Sequence, residues 1–384
     1  MLSMYTINQK KIIYILICLG NIAISFNIAA ISAVIPSIGD DLNLSDFFVS
    51  KIIPAYLIPY GIGALIYAPL TKYFSYRRIY GWAMVLFALS CYVCGLSNSI
   101  NQLMTARITM GITAACAIPL GLMIIGEFFD KEIRGRLVGG FFSCSFFASL
   151  LGVLLSGVAS WRWLFFVPGV LAFILAIKFV LIPSKMLDKV HGLNINYIQS
   201  FKDKQIFRIF AFIFILSFLY HGVHKWYGVY LTQVYQMDKL KISLFYVLIV
   251  SGGALGQIIG GIISDKKSRL YACYFGIVGL GLSVVLLVGY YSAFMLAVAL
   301  IAVSVFWTIG HNGLSTTLTD FPDKDRPAIA SLNSSVRFIS GGLGFYVSSL
   351  FVQKSFGLTF FAIGILILLL SLFIKRLVLQ QSYH

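Results

Sequence analysis

Positively charged and imidazole side chains occur inside long apolar runs of this sequence. They are Arg107, His221, His224, Lys225, His311 and Arg337. The 13 acidic residues differ, because each falls in a polar segment or at the edge of an apolar run. An ionisable group at membrane depth is expensive and marks a candidate functional site. Cations without acidic partners at similar depth predict an anion site, and a planar guanidinium suits a carboxylate or phosphate best.

Helical spacing aligns several of these groups. The aligned sets are His221, His224, Lys225 and Gly228; Trp307, His311 and Ser315; and Asn333 with Arg337. Residues three or four positions apart share one face of a helix, so each set is predicted to present its polar groups in one direction. Histidine has an ordinary pKa of about 6.5. Where burial leaves that pKa unchanged, protonation of the histidines is predicted to strengthen the anion site as the pH falls through this value.

Apolar runs long enough to cross a bilayer recur along the chain and must position these side chains. The sequence is 59% hydrophobic and 11% charged, whereas soluble domains are about 45–50% apolar and about 25% charged. Twelve spans are predicted: 12–36, 48–70, 79–97, 101–126, 135–158, 162–183, 206–233, 242–264, 270–289, 292–318, 327–352 and 355–375. The predicted fold class is therefore an all-α integral membrane protein.

Several other classes of protein are excluded by the pattern. The net charge of +16 does not indicate nucleic-acid binding, because the basic residues form short clusters between apolar runs. No P-loop, hydrolase triad, dinucleotide motif or metal-ligand set stands at a credible position, so neither an enzyme nor a bound cofactor or metal is expected. The pair Cys91 and Cys94 lies within a span and is interpreted as small apolar packing.

Charge placement predicts the orientation and the division of the chain. With the N-terminus inside, about 21 of the 29 Lys and Arg fall in inside segments, as the positive-inside rule requires. Both termini are therefore predicted to be cytoplasmic, in a multi-pass protein of the plasma membrane, most naturally a bacterial inner membrane. A basic segment, 184–205, is predicted to link a six-helix bundle of 1–183 to a second of 206–384.

Short motifs at matching places in the two halves resemble the major facilitator superfamily. After the eighth span, Gly261, Asp265, Lys266 and Arg269 match its loop motif, and the copy after the second span keeps Arg77. Further matches are Ala106 to Gly111 in the fourth span, Trp161-Arg162-Trp163 at the entry to the sixth, and Val34 to Leu42 at the end of the first. The resemblance covers the whole chain and is greatest to the twelve-span drug and sugar efflux branch.

The resemblance implies roles for particular residues. It implies two six-helix bundles related by a pseudo-two-fold axis, with the first, fourth, seventh and tenth spans around a central cavity and the eleventh beside it. Substrate-binding candidates are then Asn27, Arg107, His221, His224, Lys225, Trp307, His311, Asn333 and Arg337. Gly261, Asp265, Lys266, Arg269 and Arg77 are the candidate cytoplasmic gate. The expected partners are a small-molecule solute, a proton or counter-anion, and membrane lipids, and a monomer is expected.

Alternative interpretations stay open at this point. Arg107 and the histidines could be structural, Lys225 could extend to the outer water interface, and the gate cations could bind lipid headgroups. Ser149 and Val153 replace the proline and a glycine typical of antiporters in the fifth span, which weakens the argument for proton-driven export. A multidrug/proton antiporter, a transport-dead receptor and a channel are the alternatives to a secondary transporter of an anion.

Overall fold

The computed structural model describes residues 6–183, 187, 195, 197–318 and 326–378. This part of the chain contains helices and no strands. Eleven helices are long and apolar enough to cross a membrane, and a twelfth is shorter. They are α1 Ile7–Ala33, α2 Asp46–Leu70, α3 Tyr76–Leu96, α4 Ile100–Phe128, α5 Glu132–Val158, α6 Trp163–Leu181, α7 Lys204–Gln233, α8 Lys239–Lys266, α9 Arg269–Leu286, α10 Ala293–Thr317, α11 Ala328–Val352 and α12 Phe356–Ser371.

The predicted fold class is confirmed, and each helix overlaps the span predicted for it. We call α1–α6 the first half and α7–α12 the second half. The near end is the end where α1 begins and α12 finishes, and the far end is the opposite one. Most of the predicted linker 184–205 lies outside the described residues, although a short helix, Tyr197–Lys202, falls within it. The division into two separate bundles stays a prediction.

Polar side chains at the helix starts explain where several helices begin. The Ser268 hydroxyl accepts a 3.0 Å hydrogen bond from the backbone N–H of Tyr271 at the start of α9. The Asp238 carboxylate accepts one of 2.9 Å from Lys241 at the start of α8. This bond favours the ionised form and lowers the pKa of Asp238 below its ordinary value. Such caps satisfy N–H groups that have no partner within the helix.

Three spans are interrupted near their middles. The α-helical hydrogen bonding of α1 stops at Ser25 and resumes at Ala30. In α4 the break lies at Ala115 and Cys116, and in α7 at Lys225 and Trp226. Tighter bonds to the third preceding residue replace the usual pattern there, as from Trp226 N–H to the Val223 carbonyl at 3.0 Å. At the break in α1, the Ile28 carbonyl accepts a hydrogen bond from Lys225 Nζ at 3.2 Å.

The two halves meet along α2 and α11, which we call the seam. A Cβ on Gly61 of α2 would lie 2.8 Å from the Ser335 carbonyl oxygen, and one on Gly342 of α11 would lie 2.7 Å from Ile58. Between these glycines the rings of Tyr60 and Phe338 stack with centroids 3.8 Å apart. Missing side chains therefore let the two helices approach closely.

Candidate functional site

Aromatic and basic side chains from α7, α10 and α11 meet in the second half. The rings of Tyr220 and Trp307 are stacked in parallel, with centroids 3.8 Å apart and an interplanar angle of 1°. His224 also stacks on Tyr220 at 5.0 Å. His311 lies 5.7 Å from Trp307 by ring centroid. We call Tyr220, His221, His224, Trp307, His311 and Arg337 the second-half cluster.

Arg337 is held in this cluster by neutral groups. Its Nε donates to Asn333 Oδ1 at 2.8 Å, and its Nη2 donates to Ser315 Oγ at 3.2 Å. No carboxylate among the described residues lies within 4.0 Å of it. A guanidinium offers five N–H donors, so these two bonds leave donor capacity for a further acceptor. The sequence-predicted pair Asn333 and Arg337 is thus brought together with Ser315 of the aligned set on α10.

His221 ties α7 to α11. Its Nδ1 lies 2.8 Å from the Ser217 carbonyl oxygen, and because a carbonyl only accepts, Nδ1 carries the proton. In the neutral ring Nε2 is then the acceptor. The ring packs against Gly341, where a Cβ would lie 3.0 Å from His221 Cγ. The Ser217 hydroxyl donates to the Arg337 carbonyl at 3.1 Å, which fixes the same two helices together.

Lys225 lies at the break in α7 and contacts the break in α1. Its side chain is buried, with 5% of the residue exposed, and its Nζ donates to the Ile28 carbonyl at 3.2 Å. The interpretation that Lys225 extends to water therefore does not hold in this structure. Asn27, the neighbour of Ile28, is fully buried, and neither polar atom of its side chain has a hydrogen-bond partner.

Arg107 packs among helices of the first half. Its guanidinium packs over the ring of Tyr56 at 4.2 Å, and its Nε donates to the Ile52 carbonyl at 3.4 Å. Phe165 of α6 lies 5.9 Å from it. It shares none of these partners with Lys225 or Arg337, but it lies near enough to Lys225 for the two charges to interact. Its role in substrate binding stays a prediction.

The halves are joined by polar contacts at the far end. Gln233 Nε2 donates to Asp46 Oδ2 at 2.8 Å. Ser243 Oγ of α8 donates to the Val153 carbonyl of α5 at 2.7 Å. Together with the Lys225 contact, these bonds connect α7 and α8 to the first half at and beyond the depth of the helix breaks. The far end is closed by direct contact.

At the near end, α5 and α8 are more loosely packed. A Cβ added at Gly135 or Gly139 of α5 would meet nothing within 4 Å. The nearest atom to such a Cβ on Gly261 of α8 belongs to Asn312 of the same half, at 4.0 Å. The Tyr197 hydroxyl, which donates to the Leu65 carbonyl at 2.9 Å, is a contact between α2 and the short helix that precedes α7.

The candidate gate residues lie at two places in this structure, at the end of α8 and at the start of α3. Asp265 and Lys266 are exposed, and Arg269 is half-buried. Arg77 contacts the end of α6, where its Nη1 donates to the Val180 and Ile182 carbonyls at 3.2 Å each. Arg77 therefore fastens the turn after α2 to α6 within the first half.

Sequence reasoning missed two members of the site. Tyr220 joins Trp307 to His224, yet it reads as an ordinary apolar residue of α7. Ser217 links the backbone of Arg337 to His221. A signal was present for Tyr220, because it precedes His224 by four positions and so shares its helical face.

Comparison with known proteins agrees with this architecture. A family model described as Major Facilitator Superfamily matches residues 17–345. Multidrug resistance protein 3 of Bacillus subtilis (strain 168) is 21% identical over 321 residues, which are 68% of this chain and 62% of that protein. The probable L-galactonate transporter of Escherichia coli (strain K12) is 26% identical over 259 residues, 60% of this chain and 56% of that protein. The chain spans less than two thirds of either relative.

A solved structure matches almost the whole chain. It is the crystal structure of a bacterial homologue of the human lysosomal transporter Spinster in an inward-facing and unoccupied conformation. It covers 99% of this chain and 100% of its own, with a TM-score of 0.83 and 13% sequence identity. At this identity the likeness shows the fold alone.

Proposed function

Because the chain belongs to the major facilitator superfamily, we propose that it is a secondary transporter that carries a small anionic solute across the membrane by alternating access. Arg337 is the observation that carries the proposal. Its guanidinium lies inside the second half with only neutral partners. An uncompensated charge in a membrane protein is costly. A carboxylate or phosphate on the solute would compensate it through charge-assisted hydrogen bonds.

The different packing of the two ends supports alternating access. Direct bonds between the halves close the far end, while α5 and α8 are loosely packed at the near end. In such a cycle, near-end contacts form while far-end contacts open. We propose that the near end faces the cytoplasm, that both termini lie there, and that Asp265 secures the near end in the opposite state.

Coupling and membrane assignment complete the proposal. A proton carried by His221, His224 or His311, or a counter-anion bound beside Arg337, would couple the solute to a gradient. The membrane is proposed to be the bacterial inner membrane, with lipid headgroups at the near-end cations. A monomer contains all the residues named in the site.

A multidrug/proton antiporter is the second candidate. Stacked aromatic rings at Tyr220 and Trp307 would suit flat lipophilic drugs, and one relative is called a multidrug resistance protein. Arg337 and Lys225 oppose this alternative, since they would repel the lipophilic cations that such pumps export. A transport-dead receptor would bind the same anion without flux.

The proposal is tested by measuring solute flux into proteoliposomes that contain the wild type, Arg337→Gln or Arg337→Lys. The panel contains carboxylates, phosphate esters and cationic dyes, each measured with and without a pH gradient. For a transported anion, Arg337→Gln should weaken affinity by about 2–5 kcal/mol, the cost of losing one member of a buried charge pair. Arg337→Lys should restore part of it, because the charge returns without the fork.

Arg376→Gln is the matched control, since Arg376 is exposed near the end of the described chain. It should leave the affinity unchanged. Transport of cationic dyes with no uptake of any anion would contradict the proposal and favour the antiporter. Saturable anion binding without flux would favour the receptor.

A further inference from the structure

Trp307 lies on the face of α10 that meets α7. The neighbouring faces of α10 are covered, because Val305 and Thr308 pack against Gly256 of α8 and Phe306 packs against Gly279 of α9. Trp307 instead faces α7, where it meets Tyr220. The residue is only half-buried, so part of it stays accessible.

The indole is held in a fixed orientation. Tyr220 stacks on it at 3.8 Å, and the ring of His221 meets it edge-on at 5.9 Å and 83°. His311, one helical turn farther along α10, lies 5.7 Å away. An aromatic surface immobilised by its neighbours offers a stacking platform for a planar ligand without a further loss of side-chain freedom.

Arg337 lies within reach of a solute bound at this platform. Its Nη2 donates to Ser315, two turns after Trp307 on α10. Two turns of helix correspond to about 11 Å. A solute with a planar ring and a short anionic chain can therefore contact the ring platform and the guanidinium together.

We infer that the solute of the proposed transporter is an aromatic acid, with a planar ring stacked on Trp307 and an anionic group bound by Arg337. The inference rests on the proposed function and adds the ring to it. An aliphatic acid would satisfy Arg337 and leave the indole unused. A lipophilic cation would use the indole and meet the charge of Arg337 unfavourably.

A matched pair of probes separates the ring from the charge. 3-Phenylpropionate and 3-cyclohexylpropionate have the same charge and nearly the same size, but only the first has a planar ring. We expect the full-length protein in proteoliposomes to bind 3-phenylpropionate about 3- to 10-fold more tightly, the range that aromatic stacking contributes beyond area. Affinity is read from competition and from direct flux.

Variants of Trp307 test whether this side chain causes the preference for 3-phenylpropionate. Trp307→Leu should lower the ratio of the two affinities to about one, whereas Trp307→Phe should keep part of the preference. Trp82→Leu, at an exposed position of α3, is the control and should keep the wild-type ratio. If Trp307→Leu also abolishes binding of 3-cyclohexylpropionate, no affinity ratio can be measured for that variant. The affinity ratios of Trp307→Phe and of the wild type then test the inference.

The outcomes separate this inference from the proposed function. Equal affinity for the two acids in the wild type, or a preference that both Trp307 variants retain in full, would overturn the aromatic-acid inference while anion transport stands. Transport of cationic dyes and of neither acid would overturn the proposed function itself. A preference that depends on Trp307 together with a loss of both acids in Arg337→Gln would support both.

Discussion

Removing the charge of Lys225 is expected to stabilise the closed far end. An ammonium taken out of water costs several kcal/mol even after relaxation. The single bond from Nζ to the Ile28 carbonyl returns about 1.5–3 kcal/mol, so the charge opposes closure on balance. Lys225→Gln keeps an N–H donor and removes the charge. We expect a net gain of about 1.5 kcal/mol or more for the closed state, at least tenfold in its population.

A second variant isolates the hydrogen bond. Lys225→Met removes both charge and donor and leaves the Ile28 carbonyl without this partner, which costs about 1–3 kcal/mol. The Met variant should therefore be less closed than the Gln variant by that amount. Lys178→Met, on the exposed surface of α6, is the control and should match the wild type.

Distances between two spin labels report the populations of the closed and open states of the far end. Labels at Phe48 and Lys239, both exposed and on opposite halves at the far end, report closure as a short distance in a background without the six native cysteines. A Gln variant that opens the far end would refute the reasoning. It would mean that the charge itself holds the closure, through an anion bound beside Lys225.

Three further predictions concern orientation, the gate and stability. Reporter fusions after residues 190 and 384 should both read cytoplasmic, and a periplasmic signal from either would mean that the span count is wrong. Asp265→Asn should slow turnover in flux assays far more than it weakens solute binding, because it acts on the gate; normal flux would remove that role. Ser348→Ala should lower the thermal stability by about 1–3 kcal/mol, since it leaves the buried Trp226 Nε1–H without its 2.8 Å acceptor. Unchanged stability would mean that another acceptor replaces the serine.

Hydropathy was sufficient to predict the helices, because each apolar run is long and the intervening polar turns are short. The break in α4 had a local signal, because Pro119 lacks the N–H that would bond the Ala115 carbonyl, and its ring crowds that carbonyl. The breaks in α1 and α7 were not predictable in the same way, since no proline lies four residues after them. At least for α1 and α7, a contact between helices, from Lys225 to Ile28, accompanies the break, and no local pattern encodes it.

Periodicity predicted which side chains share a helical face and could not predict what that face meets. It grouped Arg337 with Asn333 correctly, because residues four apart bond within one helix. It gave no sign that Arg107 packs on Tyr56 of α2, because that contact depends on how helices of the first half pack. The role of each site residue in substrate binding stays a prediction.

The seam between α2 and α11 has a consequence for the speed of transport. Its contacts are a flat stack of Tyr60 on Phe338 and close approaches at Gly61 and Gly342, where the side chains of Ile339 and Ile58 lie against the glycines. Surfaces of this kind can slide while they stay in contact, so in an alternating-access cycle the seam would add little to the activation barrier. The polar bonds of the far end must break before the halves part. The activation enthalpy of turnover should therefore fall when those far-end bonds are removed. Substitutions in the seam that preserve its close approach should change it little.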